Sequence, residues 1–105
     1  MIKETLDRLL AKHSHKINKF GEAMEKMRKY QYNENESGFF VKYDNQRLIV
    51  GKVGRQLQFW IKYETDNNRF KILRVDDENL TFQIAGTLEE CVEYGLEKLV
   101  ENMYA

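Results

Sequence analysis

Residues 39–85, FFVKYDNQRLIVGKVGRQLQFWIKYETDNNRFKILRVDDENLTFQIA, contain the clearest structural pattern in this chain. Apolar and polar residues alternate along this stretch, and short runs of Asn, Asp and Gly interrupt the alternation. A period of two is typical of strands that bury one face, and the interrupting runs suit the tight turns of hairpins. We therefore predict a meander of five antiparallel strands: Phe39–Tyr43, Gln46–Val53, Gln56–Glu64, Arg69–Val75 and Leu80–Ala85.

The N-terminal segment has the pattern of an amphipathic helix instead. Apolar side chains recur at spacings of three and four from Ile2 and Leu6 to Met27. A single helix over residues 2–30 is about 42 Å long, roughly twice the length of the strands. We expect it either to break, most readily at Gly21, or to overhang the sheet and pack on a partner chain.

The last segment of the chain has clear signals of a second helix. Thr87 followed by Glu90 matches the capping-box pattern, and an apolar stripe follows it. Gly95 inside that stripe indicates close packing of the helix on the sheet. The predicted fold class is α+β in the order α-β-β-β-β-β-α, as one domain over residues 1–105. Both terminal helices are expected to pack on one face of the antiparallel sheet.

Composition narrows the classes of protein to which the chain can belong. Its 17 basic and 17 acidic residues cancel, so no overall field attracts it to nucleic acid or to a membrane. The charges are uneven, with eight Lys or Arg against four Asp or Glu in residues 1–30, and one Lys against five Glu in residues 87–105. No apolar run approaches the length of a membrane helix. A single cysteine, Cys91, excludes an intrachain disulfide and fits a reducing compartment, so we expect a cytoplasmic protein.

The turns also determine which side chains share a face of the sheet. If Asp44-Asn45, Gly54-Arg55 and Asp66-Asn67 are the tips of two-residue turns, the pairing of the first four strands is fixed. One face, called the inward face below, then carries two mostly apolar rows and is the expected core. Phe82 and Ile84 join the inward face if the last loop has three residues. The two rows are Val41, Leu48, Ile61 and Ile72, and Phe39, Val50, Phe59 and Arg74.

The opposite face, called the outward face, is the candidate functional site. The same register aligns an apolar row across it, made of Phe40, Ile49, Trp60 and Leu73. Beside that row the register aligns four cations, Lys42, Arg47, Lys62 and Lys71. Like charges directly opposite each other on neighbouring strands are destabilising, so this second row requires anions or ample water nearby. These eight residues are the predicted partner-binding residues.

Three interpretations of the outward face remain open. In the first, the cations form a solvated strip whose stems cover Trp60. In the second, the acidic C-terminal helix covers this face, and Glu93, Glu97 or Glu101 pairs with the cations. In the third, the face is open and binds a partner, as exposed apolar patches beside charges often do.

No motif in the sequence predicts catalysis or metal binding. His13 and His15 lie two positions apart in a predicted helix and therefore point to different sides. Cys91 lies in the first turn of a predicted helix, where a thiolate is favoured, but neither a histidine nor an asparagine motif accompanies it. We expect a buried thiol at Cys91, and no catalytic residue, metal or cofactor.

The leading hypothesis is a small non-enzymatic binding or regulatory protein that acts by protein–protein interaction. In this hypothesis the apolar row docks on another protein, and the cations meet an acidic surface of that partner. A homodimer through the same face or along the N-terminal helix is a special case. The alternative is single-stranded nucleic-acid binding, with bases stacked on the rings and phosphates beside the cations. The neutral overall charge and the aliphatic Ile49 and Leu73 favour a protein partner.

Overall fold

The computed structural model describes residues 1–32 and 36–104. These residues form three helices and five strands, which confirms the predicted α+β class. No helix in this part of the chain is long and apolar enough to cross a membrane. The elements are α1 Ile2–Lys12, α2 Ser14–Lys29, β1 Phe39–Asp44, β2 Arg47–Lys52, β3 Gln58–Glu64, β4 Arg69–Asp76, β5 Asn79–Gly86 and α3 Leu88–Met103.

The strands form one antiparallel sheet in the order β1-β2-β3-β4-β5, which confirms the predicted meander. The ends of the observed strands differ from the predicted ends by two residues at most. The pairing predicted for β2, β3 and β4 is also confirmed. Ile49 lies opposite Trp60, and Trp60 lies opposite Leu73.

The turn between β1 and β2 is displaced by one residue from its predicted position. Its central residues are Asn45 and Gln46, both with positive φ, rather than Asp44-Asn45. A turn with two positive φ values matches the natural twist of a hairpin. The displacement slides β1 by two residues along β2, which leaves each residue on its predicted face but changes the row to which it belongs.

The β4–β5 hairpin also departs from the prediction. Its turn has two central residues instead of three, and a β-bulge interrupts the pairing next to Ile72 and Leu73. Between the turn and the bulge, Phe82 lies opposite Leu73 and faces outward, so its predicted place in the core is wrong. Beyond the bulge, Ile84 lies opposite Ile72 on the inward face, as predicted.

The core lies between the inward face and two helices. Burial of apolar surface on this scale supplies the main favourable contribution to folding. The strands contribute Val41, Leu48, Val50, Phe59, Ile61, Phe70 and Ile72, all of them buried. The helices contribute Ala23, Met24 and Met27 from α2, and Leu88, Cys91 and Leu99 from α3.

Helix α3 begins and packs as its sequence predicts. The Thr87 hydroxyl accepts a hydrogen bond from the Glu90 backbone N–H at 3.1 Å, and the Glu90 carboxylate accepts one from the Thr87 N–H at 3.1 Å. A Cβ atom at Gly95 would lie 3.1 Å from Cδ1 of Ile72, so the glycine lets the helix backbone approach the sheet. The capping box and the close approach are both confirmed.

The N-terminal helical segment divides at His13 rather than at Gly21. His13, with φ −106° and ψ 12°, separates α1 from α2. Gly21 stays within α2, which is anchored to the inward face by the fully buried Met27. No residue of α1 is buried by any part of the chain that the structure describes. The predicted overhang is therefore present, and α1 extends beyond the core.

Candidate partner-binding face

The outward face combines side chains from all five strands, and within residues 1–32 and 36–104 both packed helices lie on the other side of the sheet. Its centre is an unbroken apolar row, called the outward apolar row below. Consecutive members of the row lie directly opposite each other on neighbouring strands. The row consists of Ile49, Trp60, Leu73 and Phe82. Its first three members are half-buried, whereas Phe82 on the edge strand is 55% exposed.

Polar neighbours hold Trp60 in place at the centre of this row. The guanidinium carbon of Arg47 lies 4.2 Å from the centroid of the indole ring, and Nζ of Lys62 lies 5.7 Å from it. The indole N–H donates a hydrogen bond to Oε1 of Gln58 at 3.3 Å. Cation–π contacts and the hydrogen bond together restrict the orientation of the ring. Trp60 thus lies beneath cationic side chains, as the first interpretation expects.

The predicted row of four cations is only partly formed. Lys62 lies opposite Lys71, as predicted. Arg47, however, lies opposite Asp44, and its Nη2 atom is 3.8 Å from that carboxylate. The displaced β1–β2 turn is the cause, because it moves Asp44 to the place predicted for a lysine. The remaining positive region, called the cation cluster below, consists of Arg47, Lys62 and Lys71.

The two predicted site residues of β1 have partners other than those predicted. Phe40 lies opposite Gly51 instead of Ile49, and Lys42 lies opposite Ile49 instead of Arg47. The Phe40 ring lies directly over Gly51, where a Cβ atom would be 2.6 Å from the ring Cζ. The absence of a side chain at this position makes room for the ring, which gives a packing reason for the observed register.

Strand β5 adds two large apolar side chains to the outward face that the sequence pattern did not predict there. Phe82 extends the outward apolar row, and Leu80, which is 49% exposed, lies opposite Val75 in the adjacent row. The β4–β5 turn has two central residues instead of three, which moves both side chains to the outward face, and the bulge beyond them keeps Ile84 on the inward face, so simple alternation cannot place all three. The one available signal was Asp77, which tolerates the positive φ of a two-residue turn and adopts it here.

The acidic C-terminal helix does not cover the outward face, so the second interpretation is wrong. Helix α3 packs on the inward face, where Gly95 lies against side chains of β2 and β4. Glu93, Glu97 and Glu101 are exposed on α3 and therefore lie on the side of the sheet away from the cation cluster. Helix α3 packs on the inward face because its apolar stripe forms part of the core.

The residues considered for catalysis or metal binding lie apart from this face. Cys91 is fully buried, and burial together with the charge of Glu90 raises the pKa of its thiol to about 11. The prediction of a buried thiol is therefore confirmed. His13 and His15 are exposed near the junction of α1 and α2. In the described part of the chain, no group of three or more His, Cys, Asp or Glu side chains is placed to hold a metal ion.

Comparison with known proteins assigns neither a family nor a function to this face. The chain has no significant match among models of protein families, curated proteins or solved structures. The candidate site is accordingly defined by the arrangement of its own residues.

Proposed function

We propose that this chain is a non-enzymatic binding or regulatory protein that docks another protein on its outward face. The observation that carries the proposal is the outward apolar row, which runs unbroken across four strands without a helix over it in the described part of the chain. Single exposed apolar residues are common on protein surfaces and need no explanation. A contiguous apolar row bordered by charges is instead typical of interaction sites.

The cation cluster indicates the chemistry of the partner surface. Lys62 and Lys71 are directly opposite each other and repel, and the Glu64 carboxylate interacts with the charge of Lys71. Carboxylates on a partner that sit above this pair relieve the repulsion and add to the apolar contact. The docked partner therefore presents an apolar surface to Leu73 and Phe82, and acidic residues to the cations that lie over Trp60.

The mixture of side chains supports a protein partner more than a nucleic acid. Bases stack well on aromatic rings, and this face offers Trp60 and Phe82 for stacking. Between and beside them, however, stand the aliphatic Leu73 and Ile49, which provide no stacking surface. Single-stranded nucleic-acid binding remains the alternative function. A reducing compartment such as the cytoplasm is part of the proposal, on the basis of the single free Cys91.

A matched pair of variants tests the proposed docking face. Phe82→Ala removes an exposed ring from the outward apolar row, and Val53→Ala shortens a side chain that is also 55% exposed but lies outside that row. Partners captured from the native source are identified by mass spectrometry, and their affinities for both variants are then measured by calorimetry. Loss of an aromatic anchor is expected to weaken binding by about tenfold or more.

This binding test has a control variant and a result that would contradict the docking proposal. Val53→Ala is expected to bind the partner as the unchanged protein does, and circular dichroism should show that both variants stay folded. Equal affinities for Phe82→Ala and Val53→Ala would place the interaction elsewhere on the molecule and remove the proposal.

Trp60→Ala provides a second test of the same face. Because Trp60 is half-buried on the outward side and lies away from the helices, its removal should leave the fold intact and lower the affinity for the partner. If Trp60→Ala unfolds the protein, the residue acts as a core residue and the docking role fails.

A titration with oligonucleotides tests the alternative function, single-stranded nucleic-acid binding. Phosphate contacts make affinity fall steeply as salt rises, so binding of single-stranded DNA or RNA is strongest at low ionic strength. The docking proposal expects no binding in fluorescence polarisation even at low salt. Salt-dependent binding that Phe82→Ala and Lys62→Gln both weaken would favour the nucleic-acid function instead.

A further inference from the structure

The apolar side chains of the outward face lie in a band that runs across the strands. The outward apolar row forms one side of this band, and Val75 and Leu80 in the adjacent row widen it over β4 and β5. From Ile49 on β2 to Phe82 on β5, the band crosses three strand spacings, a length of about 14 Å. Adjacent rows on one face are about 7 Å apart along the strands, so this apolar band is longer than it is wide.

Charged side chains, called the charged border below, lie along one side of the apolar band and at its β1 end. Alternation along the five strands places seven of them on the outward face, five basic and two acidic, so the border has a net charge of three positive units. The basic members are Lys42, Arg47, Lys62, Arg69 and Lys71, and the acidic members are Asp44 and Glu64.

Both carboxylates of the charged border lie beside basic members of the border. Asp44 is 3.8 Å from Nη2 of Arg47. Glu64 is 3.1 Å from Nε of Arg69, and it also interacts with the charge of Lys71. The other two lysines of the border form no salt bridge with any residue that the structure describes. The chain's own carboxylates thus leave the border positive, and it attracts carboxylates of a partner.

The opposite side of the apolar band has no such excess of positive charge. The β4–β5 turn lies beyond Val75 and Leu80, and its two central residues, Asp77 and Glu78, are exposed. Arg55 of the turn between β2 and β3 is exposed at the same end of the strands. Acidic groups of a partner are therefore attracted to one side of the band only.

A helix suits the apolar band better than an extended segment or a second sheet. An extended segment that lies flat on side chains leaves its backbone N–H and C=O groups without partners, and burial of such groups is costly. A helix satisfies most of these groups internally, and its diameter of about 10 Å is close to the width of two rows. A second sheet is wider and would also bury the charged border, at the cost of removing its cations from water.

We propose that the partner contributes an amphipathic helix that lies across the strands along the apolar band, with acidic side chains on one flank. The inference rests on the proposed function and specifies the partner of the same face. About ten helical residues span the 14 Å of the band. Helix residues three and four positions apart are about 5–6 Å from each other, close to the spacing of neighbouring strands. Apolar helix residues then contact Leu73 and Phe82, and the acidic flank faces Lys62 and Lys71.

Charge disfavours the outward face of a second copy as the occupant. Two such faces packed together would enclose two charged borders, each with an excess of positive charge. Like charges brought together in an interface oppose association. An acidic flank on a helix supplies the opposite charge instead.

Three synthetic peptides of about 14 residues, long enough to cover the apolar band, test this inference. The first is held helical by a lactam bridge on its outer side and carries leucines at spacings of three and four, with glutamates along one flank. The second has lysines in place of those glutamates. The third has the composition of the first, but its apolar and acidic residues alternate, so that it favours an extended conformation.

Fluorescence polarisation measures the affinity of each peptide for the full chain. The acidic helix should bind most tightly. The basic helix and the alternating peptide should each have a dissociation constant that is higher by about tenfold or more. Phe82→Ala should weaken binding of the acidic helix by a similar factor, because it removes an aromatic contact of the band.

A charge reversal on the protein gives the sharpest result. Lys62→Glu should lower the affinity for the acidic helix and raise the affinity for the basic helix. Lys29→Glu makes the same change in charge at an exposed position of α2, on the other side of the sheet, and should leave the preference for the acidic helix unchanged. Circular dichroism checks that all variants stay folded.

Two results would overturn the helix while leaving the docking function standing. One is tighter binding of the alternating peptide than of the acidic helix, with loss of that binding in Phe82→Ala. The other is an acidic helix that does not bind, or that binds no better than the basic helix, when Phe82→Ala still weakens a captured natural partner. Failure of the docking function itself has a different signature, in which Phe82→Ala leaves the affinity for the natural partner unchanged, and the helix inference then fails with it.

Discussion

The two faces of the sheet are built from the same strands with the same alternation, yet they have different surroundings. On the inward face Leu48, Phe59 and Ile72 are fully buried beneath α2 and α3. On the outward face their neighbours Ile49 and Trp60 are only half-buried, and no helix lies over them in the described part of the chain. One face is closed by the chain itself, and the other is the proposed docking face.

Alternation therefore assigns side chains to faces of the sheet but does not determine which face the helices cover. Both faces carry a row of large apolar residues, so hydrophobicity alone does not separate them. The distinguishing feature is charge, because the outward face also holds the cation cluster, which would be costly to bury without partners. Glycine at position 95 adds a second signal, since it admits a helix backbone to the inward side.

Removing one phenylalanine from each face should produce the greatest difference in the free energy of unfolding. Phe59→Ala leaves a cavity in the closed core and should lower the free energy of unfolding by about 3–5 kcal/mol. Phe82→Ala removes a ring that is already 55% exposed and should change the free energy of unfolding by less than about 1 kcal/mol. Urea denaturation followed by circular dichroism measures both. Comparable losses in the two variants would mean that the faces are equally closed, contrary to the structure.

A smaller effect tests the register of the outward face. Lys62→Glu turns the like-charge pair with Lys71 into an attractive one, keeps the attraction between Lys71 and Glu64, and should raise the free energy of unfolding by about 0.2–1 kcal/mol. Lys42→Glu makes the same charge change opposite the uncharged Ile49 and should bring no such gain. Low-salt denaturation compares the two. An equal gain in the free energy of unfolding from Lys42→Glu would instead support the predicted register, in which Lys42 lies opposite Arg47.

The smallest effect concerns the ion pair that links the helices of the closed face. The pKa of Glu89 is lowered to about 2 by its own backbone N–H, by the Tyr30 hydroxyl and by the Lys26 ammonium, which lies 3.0 Å away. A lowered pKa in the folded state stabilises the fold at pH values above about 4.5, the ordinary value, and this stabilisation is lost as the pH falls toward 2.

Glu89→Gln should therefore weaken the dependence of the unfolding free energy on pH between about 4.5 and 2. The expected change is modest, because the Glu89 side chain is half exposed and water screens its charge. Denaturation at several pH values measures it, with Glu93→Gln as a control on the same helix. An unchanged slope for Glu89→Gln would show that this contact does not help to close the inward face.

Much of the fold follows from local signals in the sequence. The strands, the pairing of β2 with β3 and of β3 with β4, and the start of α3 at Thr87 all depend on turn-forming residues or on a capping pattern. These signals act over a few residues, so they can be recognised without knowledge of the rest of the molecule.

The predictions that failed depend on contacts between distant residues. Asp44-Asn45 and Asn45-Gln46 are both plausible tips, and the packing of Phe40 on Gly51 favours the second. The two-residue turn places Phe82 on the outward face, and the bulge at Gln83 returns Ile84 to the inward face. Oε1 of Gln83 accepts a hydrogen bond from the Tyr94 hydroxyl of α3 at 2.7 Å. Because each of these choices requires tertiary packing, the outer members of the candidate site could not be read from alternation.

The bulge in β5 has a further consequence for how the sheet ends. A regular edge strand presents evenly spaced N–H and C=O groups, on which strands of other molecules can add and begin aggregation. The irregular spacing at the bulge makes such addition less favourable along β5. At the other edge, the backbone of Tyr32 forms two hydrogen bonds with the backbone of Val41 in β1, with N···O distances of 3.1 Å and 3.4 Å. Both margins thus discourage open-ended addition of strands, although one face of the sheet carries an exposed apolar row.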